Sequence, residues 1–298
     1  MTWGAPLRRA MFAAACALWF CAAQAATPQE REAEVQAATE AANKARVTGP
    51  ADIKLRDQAV LKLPAGMTYI PQPAAGQLMK AYGNGDDDEL IGLVEPVEGD
   101  WLVVAEYRAS GYIKDDDAKD WNVDELFKSL KEGTAEANEE RRQRGIPELE
   151  VTGWVEKPHY DAATHRLVWS MAARNKGEPD NEHSSVNYNT YALGREGYLS
   201  LNLITSRGDV ERDKPAAHTL LSSLDFAEGK RYTDFNSKTD HVAEYGLAAL
   251  VAGVAAKKLG LLAVIAAFAV KFAKVIGLAV VGFGAAIAKF FKGRGEKA

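Results

Sequence analysis

Trp101, Val103, Ala105 and Tyr107 alternate with Leu102, Val104, Glu106 and Arg108, so both faces of this stretch are apolar at its start and one turns polar at its end. This pattern predicts a largely buried β-strand. Residues 90–97 supply an antiparallel neighbour across Glu98-Gly99-Asp100. Residues 151–157 and 166–173 predict a second hairpin around a turn at 158–164, and 186–193 with 198–205 a third, joined through Gly194-Arg195-Glu196-Gly197. In its last strand Leu199, Leu201 and Leu203 share one face. Ile53 and Leu55, then Val60, Leu61 and Leu63 before Pro64-Ala65-Gly66, predict a short hairpin at the entry to the body.

Helical spacing punctuates these strands. Leu78, Met79 and Tyr82 recur on one helical face and stop at Gly83-Asn84-Gly85. Asn122 with Glu125 makes a capping-box start, after which Val123, Leu126, Phe127 and Leu130 fall at i, i+3, i+4 and i+7; Gly145-Ile146-Pro147 ends the run. Pro215 opens a short helix with Ala217, Leu220, Leu221 and Leu224 on one side, closed by Gly229. Residues 27–47 carry little but Val35 to bury and read as a solvated helix or disordered spacer, closed by Gly49-Pro50. Strands joined by hairpin-length turns, with helices interspersed, indicate an α+β fold on an antiparallel sheet.

The two ends have a different composition. Apolar blocks at 245–256, 259–270 and 275–288 are punctuated by Lys257, Lys258, Lys271, Lys274, Lys289 and Lys292, with Glu296 the sole acid. A membrane-crossing helix needs about 20 apolar residues, so a span here must accommodate lysine. On a continuous helix five of the six lysines share an arc of about 100°. One crossing, anchored by Leu259, Leu262, Ile265, Phe268, Ile276 and Val280, is the preferred arrangement; a helical hairpin and an interfacial helix are the alternatives. At the other end, Arg8 and Arg9, an apolar run over 11–23 and Ala23-Gln24-Ala25 read as a secretory signal with its cleavage site. Both cysteines, Cys16 and Cys21, lie inside it, so the mature chain has no thiol for a disulfide, a nucleophile or a thiolate metal site. The chain divides into a signal (1–25), a polar spacer (26–50), an extracytoplasmic α+β domain (51–244) and a membrane-associated tail (245–298). The expected location is the inner membrane, with the domain on its periplasmic side.

Charge separates along the same lines. With the signal and the tail set aside, 26 basic residues face 40 acidic ones. This excess of acid argues against nucleic acid as a partner. Candidate chemistry is sparse: no G-x-S-x-G elbow, S-x-x-K pair or H-E-x-x-H occurs. His159, Asp161 and His165 sit around a predicted turn, in a spacing that matches no ligand motif and that Pro158 and Asp161 explain as turn chemistry. The acidic runs Asp86-Asp87-Asp88-Glu89 and Asp115-Asp116-Asp117 read as solvated loops, with a calcium site outside the EF-hand pattern as the alternative. Gly83-Asn84-Gly85 is unsuited to phosphate, because aspartates follow directly. Trp154 and Trp169 lie on facing hairpin strands, as core partners or as one wall of a ligand groove. No cofactor and no metal site are expected.

Several phrases carry a family resemblance: Leu63-Pro64-Ala65-Gly66, Gly111-Tyr112-Ile113 ahead of Asp115-Asp116-Asp117-Ala118, Gly153-Trp154, Pro158-His159-Tyr160-Asp161, Leu193-Gly194-Arg195, Tyr232-Thr233-Asp234-Phe235-Asn236 and Ala243-Glu244-Tyr245-Gly246. Together with the lysine-spaced tail they resemble a family of membrane-anchored bacterial proteins of unknown function. The resemblance implies export, an anchor and a bacterial source, and brings no catalytic or binding residue with it. The expected role is a non-enzymatic module that binds an envelope protein or envelope ligand at the membrane. The alternatives are an envelope hydrolase using His159 or His165 with a nearby carboxylate, and a structural or membrane-stress role of the tail.

Overall fold

The structure is a computed structural model that describes residues 28–143 and 145–252. The signal reading of residues 1–25 and the anchor positions Leu259, Leu262, Ile265, Phe268, Ile276 and Val280 lie outside the described residues. Among the described residues no helix is long and apolar enough to cross a membrane.

In chain order the elements are α1 (Pro28–Ala45), β1 (Val47–Thr48), β2 (Ala51–Leu55), β3 (Ala59–Leu63), β4 (Met67–Pro71), α2 (Ala74–Ala81), β5 (Leu90–Pro96), β6 (Leu102–Arg108), α3 (Val123–Gln143), β7 (Leu149–Asp161), β8 (Arg166–Asn175), β9 (Ser185–Leu193), β10 (Tyr198–Ser206), α4 (Val210–Ser222), β11 (Leu224–Phe226) and α5 (Ala249–Ala252). Eight strands make one sheet in the order β1-β4-β5-β6-β10-β9-β8-β7, and β11-β3-β2 make a second. All strand pairs within the two sheets are antiparallel. The α+β class with a large antiparallel sheet is therefore as the sequence indicates.

Period-two alternation sends the large sheet's side chains to two different covers. On one face Val103, Ala105, Tyr107, Tyr188, Leu199, Leu201 and Leu203 are buried against the small sheet and against Ala217, Leu220 and Leu221 of α4. On the other face the cover is split. Leu93 and Val104 meet α1 and α2 through Ala38, Ala42, Ala75 and Leu78. Leu167, Trp169, Leu193 and Tyr198 meet α3 and α5 through Leu126, Leu130, Leu250 and Val251. The spacer is thus a docked helix: alanines at i and i+4, too small to register as a hydrophobic stripe, let α1 approach α2 closely.

Two prolines sit where the sequence pattern does not put them. Pro158 lies inside β7 and not in the turn, at a register shift between Glu156 and His159. On an edge strand with an irregular ladder, its missing N–H costs no pairing. Pro215 lies inside α4 and does not open it; the helix starts at Val210, and Arg212 and Asp213 donate their amides to the Asp209 carbonyl. The helix also ends earlier, at Ser222, because Leu224–Phe226 leaves to pair with β3 as β11. This strand is too short to carry a periodic signal.

The start of the apolar tail is part of the packed structure. Leu247, Leu250, Val251 and Ala252 are buried beside α3. Asp117 fixes their entry, since its carboxylate accepts the amides of Leu247 (3.2 Å) and Ala248 (3.0 Å). Gly246 is needed there, because a Cβ would fall 2.5 Å from Asp117 Oδ2.

Two substitutions test this packing. Gly92 faces the ring of Tyr69, whose hydroxyl donates to the Ile91 carbonyl at 3.0 Å, so Gly92→Ala should lower the unfolding free energy in urea by about 1–3 kcal/mol. Gly153→Ala, where an added Cβ meets nothing within 4 Å, should change it little. Asp117→Ala should cost about 1 kcal/mol and speed hydrogen exchange at Leu247 and Ala248 by about fivefold, with the sheet amides unchanged.

Candidate functional site

Where the two helical covers part, the sheet face turns polar. The strand register sets Glu106 beside Ser200 and Ser200 beside Tyr191, and on the next row Val104 beside Asn202 and Asn202 beside Asn189. At one edge of this strip a cleft of about 760 Å³ opens between α2, the loop at 84–88 and the end of α3. Gln72, Lys80, Asp87, Val104, Glu106 and Glu140 are among its lining residues. Carboxylates dominate it: Asp86, Asp87, Asp88, Glu106 and Glu140 against Lys80.

Glu106 is the most perturbed of them. Burial, followed by the charge and hydrogen bond of Asp87 and the charge of Glu89, pushes its carboxyl up to about 7, while Arg108 opposes the shift. Arg108 is paired with Glu89, and Arg56 donates to the Asp88 carbonyl at 2.5 Å. Lys80 and Asp86 approach at 3.4 Å on the open surface. The crowding of carboxyl groups around a partly buried one stores repulsion that a cationic group in the cleft would relieve.

A second constellation lies on the edge strand β7, at the far end of the same cross-strand row as Glu106. Tyr160 donates to Asp115 Oδ2 at 2.7 Å, and its oxygen lies 3.2 Å from His165 Nδ1. With the Tyr160 proton committed to Asp115, Nδ1–H must donate to the Tyr160 oxygen, which leaves Nε2 of the neutral ring as an acceptor. Burial, reinforced by Asp115, moves the Tyr160 hydroxyl far above its ordinary range. The His165 ring lies 4.1 Å from that of Tyr232, and Tyr112 stacks between Tyr232 (4.4 Å) and Phe235 (3.8 Å). His165 has φ +54°, a left-handed conformation costly for a side chain with a Cβ and enriched at functional sites.

The residues singled out from sequence divide between these places and the core. His165 joins the second constellation; His159 does not, because strand alternation puts it on the other sheet face from Tyr160, and it is exposed. Asp161 is engaged in the turn, accepting from the Ala163 amide (2.9 Å) and the Thr164 hydroxyl (2.7 Å). The H-x-D-x-x-x-H residues therefore do not converge, and among the described residues no group of three or more potential ligands is placed to hold a metal. Trp154 and Trp169 do meet, edge to face at 6.0 Å, beneath Phe127 of α3. Neither indole N–H has a hydrogen-bond partner.

Sequence reasoning missed Glu106 and Tyr160 as perturbed groups, and missed Asp115 as the partner of Tyr160. Only the polar end of the strand at 101–108 hinted at Glu106. It also gave no role to His218, whose Nε2 lies 2.8 Å from the hydroxyl of fully buried Tyr188, itself donating to Glu156 at 2.6 Å.

Among curated proteins none matches the chain. A solved structure of similar shape is the solution structure of cyanobacterial PsbP (CyanoP) from Synechocystis sp. PCC 6803, at 11% identity, covering 61% of this chain and 91% of that one with a TM-score of 0.37. A likeness that low carries no argument about fold or activity. The profile of one sequence family, described as "Protein of unknown function (DUF2167)", matches residues 47–284, and the chain belongs to that family.

Proposed function

We propose that this protein is a non-enzymatic binding module of the bacterial envelope, held at the inner membrane by its C-terminal segment, with the cleft between α2 and α3 as its contact site. The observation that supports this reading most is the cleft itself. It is open to solvent, floored by the sheet and lined by five carboxylates against one lysine. Its complement is a protein segment that presents lysine or arginine, because such groups relieve the repulsion around Glu106 and gain charge-assisted hydrogen bonds. The acidic balance of the body, 26 basic against 40 acidic residues, steers the same class of partner. The lysine-spaced apolar tail and the signal-like start motivate the location.

A photo-crosslinking residue at Gln77, exposed on the cleft wall, should trap one or a few specific envelope proteins in intact cells, while one at Asp225 on the small sheet should not. Replacing Asp86 and Asp88 with lysine should abolish the capture. A uniform background from both positions would refute the reading.

The second reading, a hydrolase, draws on the Asp115–Tyr160–His165 chain, which leaves His165 Nε2 with a free lone pair. If it holds, His165→Ala should abolish complementation of a deletion strain while the folded protein accumulates normally. Full complementation by that variant would exclude it.

A further inference from the structure

Two glycines flank Asn84 where α2 runs out, and the backbone explains only the first. Gly83 has φ +88° and closes the helix, its amide donating to the Lys80 carbonyl at 2.8 Å. Gly85 is not left-handed, and a Cβ on it would meet nothing within 4 Å, so neither conformation nor packing requires glycine there. Residues 84–87 belong to no helix, strand or turn, and Asn84 and Gly85 are exposed on the cleft wall. Asn84 donates its backbone and side-chain N–H groups to the Met79 carbonyl, both at 3.0 Å. Among the described residues no acceptor takes the Gly85 amide. The far end of the loop is fastened independently, by the Tyr107 amide on the Glu89 carbonyl at 2.9 Å and by Arg56 on the Asp88 carbonyl. What the missing side chain does provide is access, because the Gly85 nitrogen can close on the Asn84 side-chain carbonyl carbon with no Cβ in the way. No other asparagine of the chain precedes glycine.

We propose that Asn84-Gly85 is a self-modification site, at which the cleft wall converts its own asparagine to aspartate and isoaspartate through a cyclic imide. The Gly85 nitrogen attacks Asn84 Cγ; the N–Cγ bond forms, the Cγ–Nδ2 bond breaks, and the Gly85 proton leaves with the amide nitrogen as ammonia. Water, the co-reactant, then opens the ring. Addition at Cγ restores the main chain and leaves aspartate, whereas addition at the Asn84 backbone carbonyl carbon carries the chain through Cγ and leaves isoaspartate. Either product replaces an N–H donor with a carboxylate. The Met79 carbonyl loses one of its two donors, and the cleft wall gains a sixth carboxylate beside Asp86, Asp87, Asp88, Glu106 and Glu140. Asn236, the exposed asparagine before Ser237, is the contrast: Ser237 carries a Cβ, and Asn236 Oδ1 already accepts the Lys238 amide at 3.1 Å. The conversion needs no partner, so it stands apart from the binding reading and bears on it only through the charge of the wall.

Tryptic mapping of the purified full chain, before and after incubation in mildly alkaline buffer, tests it. Asn84 is the sole asparagine of peptide 81–108 and Asn236 of peptide 232–238, and neither peptide holds glutamine, so the mass change from amide to acid reports each site alone. Peptide 81–108 should convert about tenfold or more faster than 232–238 and split into two products, of which isoaspartate accepts a methyl group from an isoaspartyl methyltransferase. Gly85→Ala, which the open space around the residue tolerates, should slow the conversion by about tenfold or more. Equal rates at the two sites, or a Gly85→Ala variant that converts as fast as the wild type, would overturn the proposal and leave partner capture at Gln77 untouched.

Discussion

The central strands β6, β10 and β9 bury a row of apolar side chains on one face and, at Val104, Leu193 and Tyr198, apolar side chains on the other, so the sheet is stable only when it is covered twice. Each fully buried Leu, Val or Tyr contributes about 1.5–3 kcal/mol relative to exposure, so the covers decide the fold. One face solves the problem with a continuous layer, the small sheet and α4 packed over Leu199, Leu201, Leu203 and Tyr188. The other is covered in two pieces, by α1 with α2 and by α3 with α5. The strip between them holds Glu106, Ser200, Asn202 and Asn189. The cleft opens at the edge of this strip, where Val104 and Glu106 reach its lining, while Ser200 and Asn189 stay buried.

Strands whose alternation is set by these covers are the part of the fold that the sequence shows clearly. Trp101–Arg108 betrays even the cleft, since the face that turns polar at Glu106 is the one where the cover ends. Elements that depend on a neighbour are invisible in the pattern: β11 is three residues long and exists because β3 offers an edge, and α1 is recognisable as packed only once Ala38 and Ala42 are seen against α2. The same limit governs the site. Trp154 and Trp169 meet because facing hairpin strands force it, whereas His159 and His165 are six positions apart in sequence yet separated by strand alternation and a turn. Asp115 and Tyr160 are 45 positions apart, a pairing that no local spacing encodes.

The phrases at 111–118, 193–195, 232–236 and 243–246 meet in one region. Tyr112 pairs with Val242 and stacks on Tyr232 and Phe235; Gly194 pairs with Arg231; Arg195 holds Asp240 with two hydrogen bonds of 2.7 and 2.8 Å; and Asp117 caps the chain at Leu247 and Ala248. Arg195 in turn holds the Asp240 carboxyl well below the usual carboxylate range. What these motifs share is the seating of residues 231–248 on the end of the sheet. They form a collar around the base of the apolar tail, and this is a structural reason for such residue types to occur together without any catalytic role.

Collar and cleft are joined by α3. Its first turns are fastened by burial, with Leu126 and Leu130 against Leu250 and Val251, but beyond Leu130 the helix has almost nothing apolar to bury. It is held there by Asn138, whose amide group donates to the Leu149 carbonyl and accepts the Leu149 amide, both at 2.8 Å, as a neighbouring strand would. A polar fastening of this kind fixes the helix to the edge of the sheet without requiring it to lie flat on the sheet's centre. Glu140, two residues beyond Asn138 on this hydrogen-bonded half of the helix, is the α3 residue that lines the cleft.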